Sequence, residues 1–134
     1  MYIHGRDKYY RPIVIMDAAV MAKMIKEDKN AVTEELLVEL WVFLYMYIRE
    51  VMFLPGQADF WLNICHLGNL GMTAVPRKPI MAFATVCSNN HMFCLSKSFY
   101  LNTSWAQKTI FNGLSNFIAP ETRAKICLTD KLIH

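Results

Sequence analysis

The sequence contains no run of lysines or arginines, and charged residues make up only 19% of its 134 residues. The formal net charge of +3 is a mild bias toward anionic partners. Domains that bind nucleic acid concentrate far more positive charge on one face. We therefore expect no nucleic-acid partner.

The cysteines also lack the spacing of a metal or disulfide framework. Cys65, Cys87, Cys94 and Cys127 form no Cys-x-x-Cys pair, which argues against a zinc site and against a dense set of disulfides. Cysteines in apolar surroundings are usually buried free thiols of a reducing compartment. We therefore expect a cytoplasmic protein without a metal ion.

Long uncharged apolar runs are absent as well. The first ten residues, MYIHGRDKYY, have no apolar signal-peptide core. The longest apolar stretch, residues 36–54, is interrupted by Glu39, Arg49 and Glu50. A membrane-spanning helix needs about 20 mostly apolar residues, so the sequence predicts none.

Catalytic patterns are missing too. The HLGNLG stretch at residues 66–71 is neither a dinucleotide-binding fingerprint nor a phosphate-binding loop. His66 follows an apolar run, but no serine or cysteine is obviously paired with it. Neither the remaining histidines nor the aspartates form a recognisable metal or carboxylate set. We expect a protein that is not an enzyme and has no cofactor; a hydrolase or nucleotide enzyme is the weakest alternative.

What the sequence does contain is enough apolar material for one packed domain. Hydrophobic residues account for 54% of the chain, and nine methionines could fill either a core or an adaptable lipid pocket. Apolar runs at 13–15, 60–67 and 98–102 predict strands, and 124–128 is either a helix end or a fourth strand. Helices are predicted between them. Alternating strands and helices indicate an α/β fold with a mostly parallel sheet covered on both faces.

Two helices have clear signals in the sequence. Thr33 is a predicted N-cap for residues 33–53, whose apolar positions share one broad face, so we expect this helix to be buried on most sides. Ser104 and Gln107 fit a capping box for the helix at 104–118. The apolar arc of that second helix consists of Ile110, Phe111, Leu114, Phe117 and Ile118.

Charged and polar residues follow this second helix directly. Pro120 is succeeded by Thr122, Arg123 and Lys125. An apolar helix beside cations suits a molecule that is part lipid and part charged headgroup. On residue chemistry alone, an ordinary core helix followed by solvated surface charges is the commoner explanation of this order.

Three stretches of the sequence resemble the CRAL-TRIO family of lipid-binding domains. GRDKYYRPIVIM, residues 5–16, is similar to the Gly-x-Asp-x-x-x-Arg-Pro entry into the first sheet strand of that family. Residues 54–71 resemble the segment that ends in Ile-x-Asp-Leu. Residues 99–126 follow the pattern strand, Asn, aromatic, long helix and Pro-x-Thr-x-x-Lys-Ile.

The resemblance implies a mixed, mostly parallel sheet that floors a hydrophobic pocket for one lipid or lipophilic molecule. It implies that helix 104–118 gates the pocket and that the protein makes transient peripheral contact with membranes to exchange its ligand. Thr122 and Lys125 match the positions that contact the headgroup in phosphoinositide-binding members. Arg123 and Trp105 accompany them in the expected ligand site, and the oligomeric state stays open.

The sequence departs from the family pattern at several places. Phe93 stands where phosphoinositide-binding members carry a glutamate, which favours a neutral ligand, and His66 replaces the aspartate of the second motif. We read the chain, residues 1–134, as a single domain without the small N-terminal helical domain and C-terminal segment of the family. These departures leave a protein-interaction module with a vestigial pocket as the alternative to a lipid carrier.

Overall fold

A computed structural model describes residues 1–28, 32–68, 70–71, 77–89 and 94–130. In chain order the elements are β1 (Tyr2–Arg6), β2 (Pro12–Asp17), α1 (Ala18–Glu27), α2 (Glu34–Tyr47), a π-helical turn (Ile48–Met52), β3 (Trp61–His66), α3 (Arg77–Asn89), β4 (Leu95–Leu101), α4 (Trp105–Leu114), a 3-10 turn (Ser115–Phe117), α5 (Pro120–Arg123) and β5 (Ile126–Leu128).

The five strands form one sheet in chain order. β1 is antiparallel to β2, whereas β2, β3, β4 and β5 are mutually parallel. From β2 onward, each strand is followed in the sheet by the next strand of the chain, always on the same side. Right-handed connections between such parallel strands place their helices on one face of the sheet. The predicted mostly parallel α/β fold is confirmed. Burial of both faces is incomplete, because Ile13, Ile15 and Phe99 on the second face are only half-buried.

The loop between β1 and β2 explains the first motif physically. One Asp7 carboxylate oxygen accepts hydrogen bonds from the backbone N–H groups of Tyr9 and Arg11, each at 2.9 Å. The other accepts from the Arg11 guanidinium at 2.6 and 2.8 Å. Arg11 also donates to the Ser96 hydroxyl of β4 at 2.7 Å. The motif therefore ties a surface loop to the sheet.

The long predicted helix is present but is not buried on most sides. Thr33 caps α2 by accepting a hydrogen bond from Leu36 N–H at 3.2 Å. The buried stripe consists of Leu37, Trp41, Tyr45 and Ile48, whereas Leu36, Leu40, Phe43, Tyr47 and Val51 are exposed. The prediction of a broad buried face is thus wrong. The apolar side chains form two stripes, and only one of them faces the sheet.

The capping box of α4 is confirmed. The Ser104 hydroxyl accepts from Gln107 N–H at 3.3 Å, and Ser104 N–H donates to the Gln107 side chain at 2.8 Å. The buried Gln107 amide also donates to the Leu70 carbonyl at 2.8 Å. This second bond anchors the start of α4 to the segment that follows β3.

Two strands differ from the sequence prediction. β1 was not predicted, and β4 begins at Leu95, before the predicted start at residue 98. Residues 126–128 are a strand, which settles the alternative left open there. In the described part of the chain, no helix is long and apolar enough to cross a membrane.

Candidate functional site

A cavity of about 110 Å³ lies between α4 and the helix-covered face of the sheet. We call it the α4 cavity. Ile110, Phe111 and Ile118 line it from the α4 side, and the Phe111 ring packs edge-on against Tyr100 with ring centroids 4.6 Å apart. Its other described lining residues are Met16, Ala18, Met21, Trp41, Cys65, Leu67, Leu70, Ile80, Tyr100, Gln107 and Ile126.

A second cavity of about 130 Å³ adjoins the first. We call it the tryptophan cavity. It shares Met16, Trp41, Ile80 and Tyr100 with the α4 cavity, so the two form neighbouring parts of one apolar space. The remaining described lining residues are Met1, Val14, Leu44, Tyr45, Ile48, Trp61, Asn63 and Phe83.

The floor of this space carries a small polar network. The buried Asn63 amide donates to the buried Ser98 hydroxyl at 2.8 Å, because β3 and β4 place these residues directly opposite each other. Burial, and then the neighbouring Cys65, raises the pKa of Tyr100 to about 12. Burial, and then Asp17, raises the pKa of Cys65 to about 12. Both groups are therefore neutral at physiological pH, and Cys65 is not an activated thiol.

The walls of the tryptophan cavity hold polar atoms without partners. The Trp41 and Trp61 indole nitrogens are buried and form no hydrogen bond with the described residues. Cys94 lies beside the Tyr45 hydroxyl; burial, and then this cysteine, raises the pKa of Tyr45. Sequence reasoning did not select Tyr45, Trp61 or Asn63. The one available signal was the spacing of Trp41 and Tyr45, which places both on one helix face.

The predicted headgroup residues lie after the 3-10 turn. Thr122 and Arg123 belong to α5, and Lys125 follows it immediately before β5. The Lys125 ammonium lies 5.9 Å from the centroid of the Phe60 ring. None of the three is among the described lining residues of the two cavities. The structure thus places them in and just after α5, which follows Ile118 of the α4 cavity closely in the chain.

The other predicted site residues are placed differently. Trp105, in the first turn of α4, is 81% exposed and is not among the described lining residues of either cavity. Phe93 and the side chains of Leu114 and Phe117 lie outside the described part of the structure. Of the predicted gate residues, Ile110, Phe111 and Ile118 line the α4 cavity, whereas none of the described residues predicted to bind the ligand lines either cavity.

His66, the one histidine considered as a base, is the last residue of β3, the central strand of the sheet. Its Nδ1 is 3.6 Å from the Asp17 carboxylate, and both side chains are more than one-third exposed. Asp17 caps α1 by accepting from Val20 N–H at 3.0 Å. That hydrogen bond, and then His66, holds the pKa of Asp17 below its usual value despite partial burial. Asp17 therefore has a structural role at the start of α1.

These observations define the class of protein: an α/β domain with an apolar space between a mostly parallel sheet and its helices. The CRAL/TRIO domain model matches residues 1–133, and the chain belongs to this family of lipid-binding and lipid-transfer domains. No curated protein matches the sequence.

Among solved structures, the chain is similar to the crystal structure of Sfh5, with a TM-score of 0.76 and 9% sequence identity. The match covers 96% of this chain and 48% of the Sfh5 chain. The chain thus spans about half the length of Sfh5, and at this identity the likeness concerns the fold.

Proposed function

We propose that this domain binds one lipid or small lipophilic molecule in the space formed by the α4 and tryptophan cavities and exchanges it with membranes. The observation that carries the proposal is the pair of adjoining cavities, lined almost entirely by apolar side chains, on the helix-covered face. Family membership supports the same conclusion. The domain acts as a carrier or sensor in the cytoplasm, with transient membrane contact and without catalysis or a cofactor.

The sizes of the cavities define what loading requires. At about 110 and 130 Å³, each is smaller than ligand sites of roughly 300–1,000 Å³. Neither holds a whole lipid alone, so loading requires a wall to move and join them to each other and to a neighbouring cavity of about 260 Å³, which shares Met16 and Met21 with the α4 cavity. α4 is the wall best suited to move, since beyond the Gln107 anchor at its start its inward residues Ile110 and Phe111 meet the cavity through apolar packing, as Phe111 does on Tyr100. We therefore propose α4 as the gate.

The direct test is native mass spectrometry of the purified protein, followed by organic extraction and identification of any lipid. The expected result is one bound lipid per protein, or uptake of one from vesicles of mixed phospholipids. Phe111→Asp should abolish transfer between vesicles, because it places a carboxylate in the apolar space. Phe43→Asp is the matched control, since Phe43 is 67% exposed on α2 and this variant should transfer normally.

A second substitution keeps the test valid if Phe111→Asp fails to fold. Ala18 is 5% exposed and lines the α4 cavity, so Ala18→Leu fills part of the space with apolar atoms and should reduce uptake. A ligand-free wild-type protein that takes up no lipid from vesicles would contradict the carrier function.

One observation favours an alternative, a protein-interaction module with a vestigial pocket. Leu36, Leu40, Phe43, Tyr47 and Val51 form an exposed apolar stripe along α2 and the π-helical turn. Such stripes are typical of surfaces that bind another protein. Under this alternative Phe43→Asp, rather than Phe111→Asp, would disrupt function, so the same pair of variants separates the two proposals.

A further inference from the structure

We propose that one surface of α2, together with the groove beside it, binds a basic amphipathic helix of a partner protein. We call this surface the outer stripe. It consists of Leu36, Leu40, Phe43, Tyr47 and Val51. The inference goes beyond the proposed function, because none of these five residues lines the α4 cavity or the tryptophan cavity.

The outer stripe is unusual for a helix that packs on a sheet. Its members follow one another at spacings of three or four residues, so they lie on one side of the helix. All of them are exposed, Val51 by 60%, whereas a helix of a globular domain ordinarily carries polar residues on the side away from its core. Large apolar side chains that are exposed together are typical of a surface that another molecule covers.

A groove between α1 and α2 continues the outer stripe. This groove is the cavity of about 260 Å³, and its exposed rim consists of Val20 and Met24 from α1 with Leu36 and Leu40 from α2. Four methionines are among its described lining residues: Met1, Met16, Met21 and Met24. Methionine side chains adapt their shape to different apolar partners. Groove and stripe together therefore offer an apolar surface suited to the apolar side of an amphipathic helix.

The charges beside the outer stripe are acidic. Glu35 and Glu39 each precede a leucine of the stripe by one residue, so they form a parallel row next to it, and Glu34 lies at the start of the same helix. All three side chains are exposed. None of them forms an ion pair within the described part of the chain, so their charges are available to a partner.

The wider segment has the same sign of charge. Residues 17–52, which include α1, α2 and the π-helical turn, contain seven carboxylates and four cations, in a chain whose formal net charge is +3. Lys23 and Arg49 are already paired with Glu27 and Glu50, each at 3.7 Å. An acidic surface repels nucleic acid and anionic bilayers, whereas lysines or arginines beside apolar side chains complement it. The charge therefore selects a basic partner.

A second copy of the chain is a poorer occupant of the outer stripe. A two-fold dimer brings the same surface of both copies together. The row of Glu35 and Glu39 would then lie beside its own copy, and like charges facing each other across an interface are unfavourable. A basic helix meets no such repulsion, so we assign the surface to a different protein.

The test uses two helical peptides of about 18 residues, long enough to span α2 and the π-helical turn. Both carry leucines along one side, and their other positions are lysine in one peptide and glutamate in the other. Calorimetry with the full 134-residue chain should show the lysine peptide binding on the order of tenfold more tightly. The difference should shrink as salt rises. A lysine peptide with its leucines scattered around the helix controls for charge alone and should bind weakly.

Substitutions locate the binding surface. Phe43→Ala should weaken binding of the lysine peptide on the order of tenfold, because it removes the largest apolar contact without changing charge. Phe60→Ala, which removes a phenylalanine that is 49% exposed outside α2, is the matched control and should have little effect.

A second pair of variants tests the charge. Glu35→Lys combined with Glu39→Lys should remove the preference for the lysine peptide, because the acidic row becomes basic. Asp59→Lys makes the same kind of change at an exposed residue before β3 and should leave the preference unchanged. All of these substitutions are at exposed positions, so the variants should fold like the wild type.

The outcomes decide between a basic helix and other occupants. Equal binding of the two peptides, or binding that Phe43→Ala leaves unchanged, would overturn the inference. A dimer that this substitution dissociates would assign the outer stripe to a second copy, and loss of vesicle binding in the same variant would assign it to a bilayer. Lipid uptake from vesicles by the wild-type protein is measured separately, so failure of the carrier function and failure of this inference are distinguishable.

Discussion

At the scale of single residues, Asp7 shows how a sequence motif serves stability. It accepts two backbone and two guanidinium hydrogen bonds in a loop where Tyr10 has a left-handed backbone, with φ of 62°. Such a conformation is uncommon for a residue other than glycine. The Asp7 contacts offset its cost and hold β1 beside β2. Asp7 and Arg11 therefore close the loop between β1 and β2.

We predict that Asp7→Asn lowers the free energy of unfolding by about 1–2 kcal/mol at neutral pH. Partial burial acts against ionisation, but hydrogen bonds from the Arg11 side chain and backbone hold the pKa of Asp7 below its ordinary value. A lowered carboxyl pKa contributes stability above the unfolded pKa, and this contribution is lost as pH falls through the folded pKa.

Urea unfolding of wild type and Asp7→Asn at a series of pH values checks the prediction. The stability difference should be full near neutrality and shrink below about pH 4. Asp59→Asn, which removes a charge from an exposed residue, is the control and should show a much smaller difference. A difference that does not change with pH would mean that the Asp7 charge is not the stabilising feature.

At the scale of elements, α2 shows that the spacing of apolar residues predicts an apolar stripe on a helix but does not predict whether another element packs against it. Leu37 is 5% exposed and Leu36 is 47% exposed, although they are adjacent and chemically identical. A helical wheel drawn from the sequence assigns Leu36 and Leu37 to one broad face of the helix. Only the position of the sheet, which depends on contacts distant in sequence, separates the covered stripe from the uncovered one.

Leu37→Ala should lower the free energy of unfolding by about 2–5 kcal/mol, since it leaves a void in the core. Leu36→Ala should change it by no more than about 0.5 kcal/mol. The two substitutions alter helix propensity equally, so their difference isolates burial. Thermal or urea unfolding of both variants provides the measurement. Equal losses would indicate that the outer stripe is also covered in solution.

The features predicted correctly from the sequence are those that depend only on residues close together in the chain. The caps at Thr33 and at Ser104 with Gln107 are of this kind, because each depends on hydrogen bonds within one turn. β1 was missed because its Tyr2–Arg6 segment is short, largely exposed and contains Gly5. This segment becomes a strand only by pairing with β2, and such pairing cannot be predicted from the residues of the segment alone.

The part of the candidate site that could be predicted is the part formed by α4 and the turn after it. Ile110, Phe111 and Ile118 share an arc and do line the α4 cavity. The tryptophan cavity was not predictable, because Tyr45 and Trp61 meet through the packing of α2 on β3.

At the scale of the whole molecule, the apolar space and the cationic segment lie at successive positions along one connection. Ile118 lines the α4 cavity, α5 follows at Pro120–Arg123, and Lys125 precedes β5, whose Ile126 lines the cavity again. A headgroup near Lys125 could thus remain at the surface while its hydrocarbon occupies the interior. Under the proposed function, this arrangement would admit an amphipathic ligand although none of the described lining residues of the two cavities has a charged side chain.

Lys125→Ala tests this arrangement. The substitution should weaken binding to vesicles containing anionic phospholipid by roughly fivefold, about 1 kcal/mol for one lysine near an anionic surface. Binding to neutral vesicles of the same size should change little, and the effect should fade as salt rises because exposed charges are screened. Lys26→Ala, which removes an exposed charge at the end of α1, is the control in a vesicle co-sedimentation assay. Equal weakening on both vesicle types would assign Lys125 to packing on Phe60, where its ammonium lies 5.9 Å from the ring centroid, and would remove the headgroup role from this segment.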